Sequence, residues 1–256
     1  MKTHDQSKME QIIEHHLVPS SDYIYGFADL RGLLGEEFIN FPFGISIGKK
    51  LDKRILDSIE NGPTKEYYEH YREMNLCLQQ ITAGICEDLR KHDISCTDVP
   101  PTVVMNSEEF RPYAKDLRYK FSHKMTGTRA GLGWIGKTDL FISKAFGPRL
   151  RLSSILLEDI VAHTGKPIIK SRCGSCEVCV VQCPAVAANG LPWDIHTDRD
   201  IFFDAQKCRE QCGKFGMDMF QKETRICGIC VSVCPLGKAG GTERKGNFNH
   251  NASPEK

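Results

Sequence analysis

The chain has 256 residues, with 34 Lys and Arg against 33 Asp and Glu for a formal net charge of +1, and 40% hydrophobic content. That is ordinary for a globular protein with room for one sizeable domain and a smaller one, and it excludes a strong field toward nucleic acid or an anionic membrane, though not a local basic patch. No apolar run of about 18 residues is present to span a bilayer, and the polar opening MKTHDQSKMEQIIEHH lacks the apolar core of a secretory signal, so the expected location is cytoplasmic.

In chain order, Met9, Ile12, Ile13, His16 and Leu17 recur at helical spacing over residues 7–17. Residues 43–47 read as a short buried strand, and Asn61-Gly62-Pro63 as a turn. The spacing then predicts a helix over residues 64–91, with Tyr67, Tyr71, Met74, Leu78, Ile81, Ile85 and Leu89 on its core face. Cys77 and Cys86 lie beside that stripe; with no partner at ligand spacing, they read as small hydrophobes rather than redox or metal groups. Pro100-Pro101 ends the linker after this helix. Residues 102–105 are expected as a strand, and residues 140–143 and 150–157 as two more around the Gly147-Pro148 turn.

Residues 131–138, Gly-Leu-Gly-Trp-Ile-Gly-Lys-Thr, match the phosphate-cradle pattern G-x-x-x-x-G-K-[ST] and also contain G-x-G-x-x-G. Either motif needs a strand before the loop and a helix after it. Residues 120–129 are no buried strand, and residues 139–143 are strand-like, so the context speaks against both. One feature favours a nucleotide: residues 155–157 followed by Glu158 and Asp159 have the form of a magnesium-binding strand. A P-loop ATPase coupled to electron transfer therefore stays open, beside a purely structural glycine turn.

Twelve cysteines are many for a reducing compartment, where metal binding is the first reading. Cys77, Cys86 and Cys96 are scattered; the other nine fall between Cys173 and Cys234. The run Cys173-x2-Cys176-x2-Cys179-x3-Cys183-Pro184 is the bacterial two-cluster ferredoxin pattern, whose fourth cysteine serves the other cluster. A second half follows as Cys227-x2-Cys230-x3-Cys234-Pro235. Two intervening residues let a tight loop wrap a cubane with its amides turned toward sulfur. The expected sets are Cys173, Cys176, Cys179 and Cys234 for one [4Fe–4S] cluster, and Cys183, Cys227, Cys230 and an upstream cysteine, Cys208 or Cys212, for the other. Four-thiolate zinc sites also use x2 spacing but do not call for this run. The fold class is α+β: a mixed α/β domain over 1–165, a double-cluster ferredoxin-like module over 166–240, and a polar tail over 241–256 expected to be disordered.

The stretch Arg129-Ala-Gly131-Leu132-Gly133-Trp134-Ile135-Gly136-Lys137, with the cluster cysteines downstream, resembles the epoxyqueuosine reductase family, in a short form, and more loosely the reductive dehalogenases. The resemblance is best over residues 123–235. It implies a corrinoid-binding, nitroreductase-like first domain joined to the cluster module, and it puts the remote cluster ligand at Cys208. It also implies that residues 129–137 lie against cobalamin, with glycines admitting the corrin, Trp134 supplying apolar contact and Lys137 pairing with a phosphate or propionamide. Low-potential clusters would then feed the corrinoid, with reduced ferredoxin or flavodoxin as donor. Tyr119, His123 and Lys124 are the candidate proton donors. The substrate implied is a small molecule or a modified nucleoside. The family carries an Asp in a Pro-containing stretch upstream of the loop; Asp116 lies in that neighbourhood in different surroundings. Its C-terminal helical repeats, which help to hold tRNA, have no counterpart after Pro235. That absence and the near-zero charge weaken a tRNA substrate. Lys144, Arg149 and Arg151 could make only a small phosphate-binding patch. An electron carrier without corrinoid is the rival reading.

Overall fold

A computed structural model of the chain describes residues 5–103, 107–108, 110–221 and 224–238. The elements in chain order are α1 (Gln6–His16), β1 (Tyr23–Asp29), β2 (Phe43–Lys50), α2 (Lys53–Asp57), α3 (Lys65–Lys91), β3 (Cys96–Val99), α4 (Phe110–Asp116), α5 (His123–Arg129), β4 (Gly133–Ile135), β5 (Phe141–Ser143), β6 (Leu150–Leu157), α6 (Val178–Val181), α7 (Arg199–Phe202), α8 (Ala205–Phe220), α9 (Ile229–Ser232) and α10 (Pro235–Lys238).

Four strands form one antiparallel sheet in the order β1-β2-β6-β3. Central β2 is buried along almost its whole length, the mark of a strand covered on both faces. Its Ile45 and Ile47, with Ile155 and Leu157 of β6, meet Met9, Ile12 and Ile13 of α1 and Leu78, Ile85 and Leu89 of α3. On the opposite face, Leu156 and Ala28 pack with Phe121 and Ala130, which flank α5. The alternation of Ile155, Leu156 and Leu157 between the two cores follows from the two-residue period of a strand.

Helix α3 starts where Thr64 Oγ1 accepts from the Tyr67 amide at 3.1 Å, an N-cap bond. At about 1.5 Å per residue, it is long enough to serve two cores. Its C-terminal half closes the sheet core. Its N-terminal end brings Tyr67, with Tyr71 and Met74 beside it, to Leu51, Ile55, Leu56 and Ile59, and to Ile226 and Val231 of the cysteine-rich part. A buried cation completes this junction. Arg149, 3% exposed, donates from Nη1 to Asp57 Oδ1 at 2.6 Å and from Nη2 to the Ser232 carbonyl at 2.9 Å. Lys53 and Arg149 together hold the Asp57 carboxyl below the usual carboxylate range.

The helices expected over 7–17 and 64–91 are α1 and α3, and the strands expected at 43–47, 140–143 and 150–157 are β2, β5 and β6. The strand expected at 102–105 is not found: Thr102 and Val103 are outside any strand, and residues 104–105 lie outside the described residues. The pairing strand is β3, the four residues immediately before Pro100-Pro101, bonded to Ser154–Leu157. Prolines have no amide to donate to a ladder, so the strand stops before them. Strand β1 was not foreseen from the sequence pattern. The tail 241–256 also lies outside the described residues. Among those described, no helix is long and apolar enough to cross a membrane.

Candidate active site and cluster-binding cysteines

The cysteine-rich part is built of single-turn helices and tight loops around one longer helix, α8. Cys176 donates its amide to the Cys173 carbonyl at 3.1 Å, Cys179 lies on α6, and Cys183 closes that turn before Pro184. On the second half, Gly228 begins α9 with φ +90, and a Cβ there would meet Ile59 and Tyr67 at 2.6 and 2.7 Å. The left-handed turn between Cys227 and Cys230 is thus seated directly on the junction with α3. α6 and α9 touch, so the two cysteine runs lie side by side.

Four sulfur-bearing residues, Cys183, Cys208, Cys227 and Cys230, line one apolar cavity of about 250 Å³ together with Thr138, Asp139 and Leu140. Cys173, Cys176, Cys179 and Cys234 form the other neighbourhood: the charges of Cys173 and Cys176 reach Cys179, and those of Cys173 and Cys179 reach Cys234. Cys183 thus lies with the later run and Cys234 within reach of the earlier one, while Cys179 is also within reach of Cys230. Amides of Leu236 and Gly237 donate to Cys234, and that of Ile229 to Cys227. Burial pushes the thiols of Cys230 and Cys234 upward, Cys234 to about 11. Thiolates here require a cation at the sulfur, as iron supplies. Among the described residues, no three His, Cys, Asp or Glu side chains converge closely enough to hold a single metal ion. Zinc needs its four thiolates within roughly 4 Å of each other, given Zn–S bonds of about 2.3 Å; a cubane holds its four ligands on four separate irons. An all-thiolate donor set is the chemistry that a cubane takes.

Cys208 and Cys212 share one face of α8, one turn apart, and Cys212 hydrogen-bonds to both Cys208 and Cys227. Only Cys208 lines the cavity. Cys208→Ala is therefore expected to lower bound iron by about half of roughly eight atoms, while Cys212→Ala leaves it unchanged, as read by elemental analysis of anaerobic preparations.

The glycine stretch is a β-hairpin, β4 paired with β5, preceded by helix α5. The order is helix, strand, turn, strand, so neither nucleotide motif has its context. Glu158 and Asp159 lie at the far end of β6, against Ser95. The glycines answer to protein backbone. A Cβ on Gly133 would overlap the Ile142 carbonyl, and Gly131, at φ +71, faces the Lys166 carbonyl. Gly136 lies against Ile142 and Cys173 Sγ. Trp134 is buried with Ile142 and Ile168 and touches Cys173. Lys137, expected to pair with a corrinoid phosphate or to be solvated, is 4% exposed and 3.4 Å from Glu177 Oε1 within the first cysteine run. Arg129 donates to the Asp29 carbonyl, and Leu132 packs under α5. Of the stretch 129–137, only Ile135 lines the large cleft described next. A corrin finds no open surface on these glycines.

That cleft has a volume of about 560 Å³ and opens between α3, β6, α5 and the cysteine-rich part. Tyr119, His123 and Lys124, the expected proton donors, all line it. His123 is engaged on both nitrogens: Nε2 donates to the Pro100 carbonyl at 3.0 Å, leaving Nδ1 to accept from Ser154 Oγ at 3.0 Å. Burial lowers its pKa to about 4, so at neutral pH it is an uncharged buttress. Lys124 is spoken for by Asp139, at 2.5 Å to the carboxylate and 2.9 Å to the carbonyl. Asp116 accepts the Arg118 amide and does not line the cleft.

The acid that sequence reasoning passed over is Tyr71, placed on the core stripe of α3 by its spacing. Its hydroxyl accepts from Arg151 Nη2 at 3.3 Å, its ring lies 4.4 Å under the same guanidinium, and both residues line the cleft. The Arg151 charge lowers the Tyr71 pKa despite burial. No local signal marks this pair, because its members are 80 positions apart. The basic patch proposed from Lys144, Arg149 and Arg151 does not form: Lys144 is exposed, Arg149 is sealed at the junction, and Arg151 faces the cleft.

The turn of the hairpin separates cleft from cysteines. Asp139 lines both the cleft and the cavity of Cys183, Cys208, Cys227 and Cys230.

No protein-family model matches the chain. It is 27% identical over 112 residues to the epoxyqueuosine reductase of Leadbetterella byssophila, a match over 44% of this chain and 36% of that protein. The matched part thus spans about a third of the curated relative. Among solved structures, a selenomethionine-labelled epoxyqueuosine reductase superposes with a TM-score of 0.56 at 18% identity, over 93% of this chain and 68% of that one. A catabolic reductive dehalogenase gives a TM-score of 0.61 at 14% identity, over 84% of this chain and 30% of that one. At these identities the structures speak to fold alone. The chain is thus similar to epoxyqueuosine reductases in sequence over somewhat less than half its length, and to epoxyqueuosine reductases and reductive dehalogenases in fold.

Proposed function

We propose that the chain is an iron–sulfur oxidoreductase that passes low-potential electrons through two [4Fe–4S] clusters to a substrate in the cleft, where a bond to a leaving group is cut reductively. The observation that carries this reading is the shared wall: Asp139 of the hairpin turn borders both the cleft and the Cys183, Cys208, Cys227 and Cys230 cavity. Clusters of this type supply single electrons at potentials down to roughly −700 mV. The balance is two electrons and one proton per bond: carbon gains hydrogen, and the leaving group departs with its electron pair. Tyr71 is the proton donor in this reading, since Arg151 stabilises the phenolate left behind. His123 and Lys124 hold the cleft walls. Reductive dehalogenation, the activity of one structural relative, is of this kind, and reduction of an epoxide, as in epoxyqueuosine reductases, takes the same two electrons with a second proton for the oxygen. A tRNA substrate gains nothing from the dispersed basic patch; a small molecule or a modified nucleoside suits the cavity volume.

Cobalamin is the acceptor that the resemblance implies, and the packed glycines do not fit it. The chemistry therefore stands on the clusters and the cleft side chains. Anaerobic gel filtration with cobalamin distinguishes two forms of the reading. Stoichiometric co-elution supports a corrinoid enzyme with its cofactor at the cleft. Elution free of cobalamin supports direct delivery to a cleft ligand, or the electron-carrier reading. Tyr71→Phe decides whether the cleft is catalytic. Iron content is expected to be unchanged, and reductive turnover under dithionite to fall by about 10²–10⁴-fold. Turnover equal to wild type would remove Tyr71 from its role.

A further inference from the structure

Four cations line the cleft. Arg118 is matched by Asp198 and Asp200, Arg199 by Asp200, and Lys124 by Asp139. Arg151 differs. Its Nε donates to Asn75 Oδ1 at 2.9 Å, and its Nη2 reaches Tyr71 Oη and the Pro101 carbonyl, all neutral acceptors. Among the described residues no carboxylate pairs with it, and none accepts from Nη1. Among the described residues lining the cleft the one acid is Asp139, which is committed to Lys124. The guanidinium thus carries a full charge and an unused donor edge into a half-enclosed space. A half-buried cation in that state gains most from an anion that brings its own acceptor oxygens.

The walls define the rest of the ligand. Tyr71, Tyr113, Phe121 and Trp193 present aromatic surface to the same space, which favours a flat molecule. A volume of about 560 Å³ suits a small molecule and not a macromolecular segment. Resting on the oxidoreductase reading, we infer that the cleft takes a small planar organic anion, an aromatic carboxylate or phenolate, whose oxygen is anchored by Arg151 beside the Tyr71 hydroxyl.

Benzoate and its uncharged isostere benzamide test this by anaerobic calorimetry on cluster-loaded protein. Benzoate is expected to bind wild type at least about tenfold more tightly than benzamide, the worth of one charge-assisted bond. Arg151→Gln is expected to abolish that preference and Arg151→Lys to restore part of it. Equal affinities in wild type, binding of neither probe, or an unchanged preference in Arg151→Gln overturns the proposal. The wild-type comparison needs no variant, so a misfolded substitution does not shelter it. Calorimetry consumes no electrons, so failure here leaves the oxidoreductase reading standing. Conversely, benzoate binding without electron transfer to any cleft ligand keeps the anion site and ends the oxidoreductase reading.

Discussion

Cys183→Ala and Cys230→Ala are expected to lose the same cluster, and Cys179→Ala the other. The three variants should each retain about four of roughly eight irons, but their reduced electron paramagnetic resonance spectra should fall into two classes, with Cys183→Ala and Cys230→Ala alike. The pairing is not what order along the chain would give, since Cys183 ends the first cysteine run. It follows from the cavity that Cys183 shares with Cys208, Cys227 and Cys230. A Cys183→Ala spectrum matching that of Cys179→Ala would assign each run its own cluster and contradict the interleaved arrangement.

The second large effect is predicted at Gly133→Val. A Cβ there overlaps the Ile142 carbonyl and crowds the Phe141 ring, and backbone of a paired strand has no room to withdraw. Overpacking against backbone is expected to cost about 3–5 kcal/mol, or roughly 10 °C in Tm for a chain of this size. Because the hairpin turn walls the cavity of Cys183, Cys208, Cys227 and Cys230, iron loss should accompany the loss of stability. Gly35→Ala is the control: nothing lies within 4 Å of its Cβ position and its φ of −68° suits any residue, so its Tm should move by no more than about 1–2 °C. If Gly133→Val melts like wild type, the glycines are not there for packing, and an open ligand cradle returns as their explanation.

The parts of the fold that declared themselves in the sequence are those with a one-element signal. The stripe from Tyr67 to Leu89 could only be a helix with one buried face, β2 opens as a short apolar run after Pro42, and β5 and β6 lie either side of the Gly147-Pro148 turn. The strand before Pro100 was displaced onto residues 102–105 because Thr and Val there have higher strand preference than Cys96-Thr-Asp-Val99; pairing with β6 overrides that preference. The cysteine runs stand out in the sequence because their spacing is that of a ferredoxin ligand loop, and the fold brings Cys183 beside Cys208, Cys227 and Cys230. The glycine segment is conspicuous in the sequence without naming what it contacts. Small residues show that something comes close, not what: Gly131 and Gly133 face the carbonyls of Lys166 and Ile142. Tyr71 and Arg151 were hidden because each has an ordinary local explanation, a helix stripe and a strand cation, and only the packing of α3 against β6 brings them together.

Elemental analysis of wild-type protein purified without oxygen, combined with its spectrum after reduction, bears most directly on the whole account. Two neighbouring cubanes predict about eight irons per chain, equivalent sulfide, and signals broadened by magnetic coupling between the two centres. Stoichiometric zinc with little iron, or a brown protein with four irons and a single uncoupled signal, would contradict it.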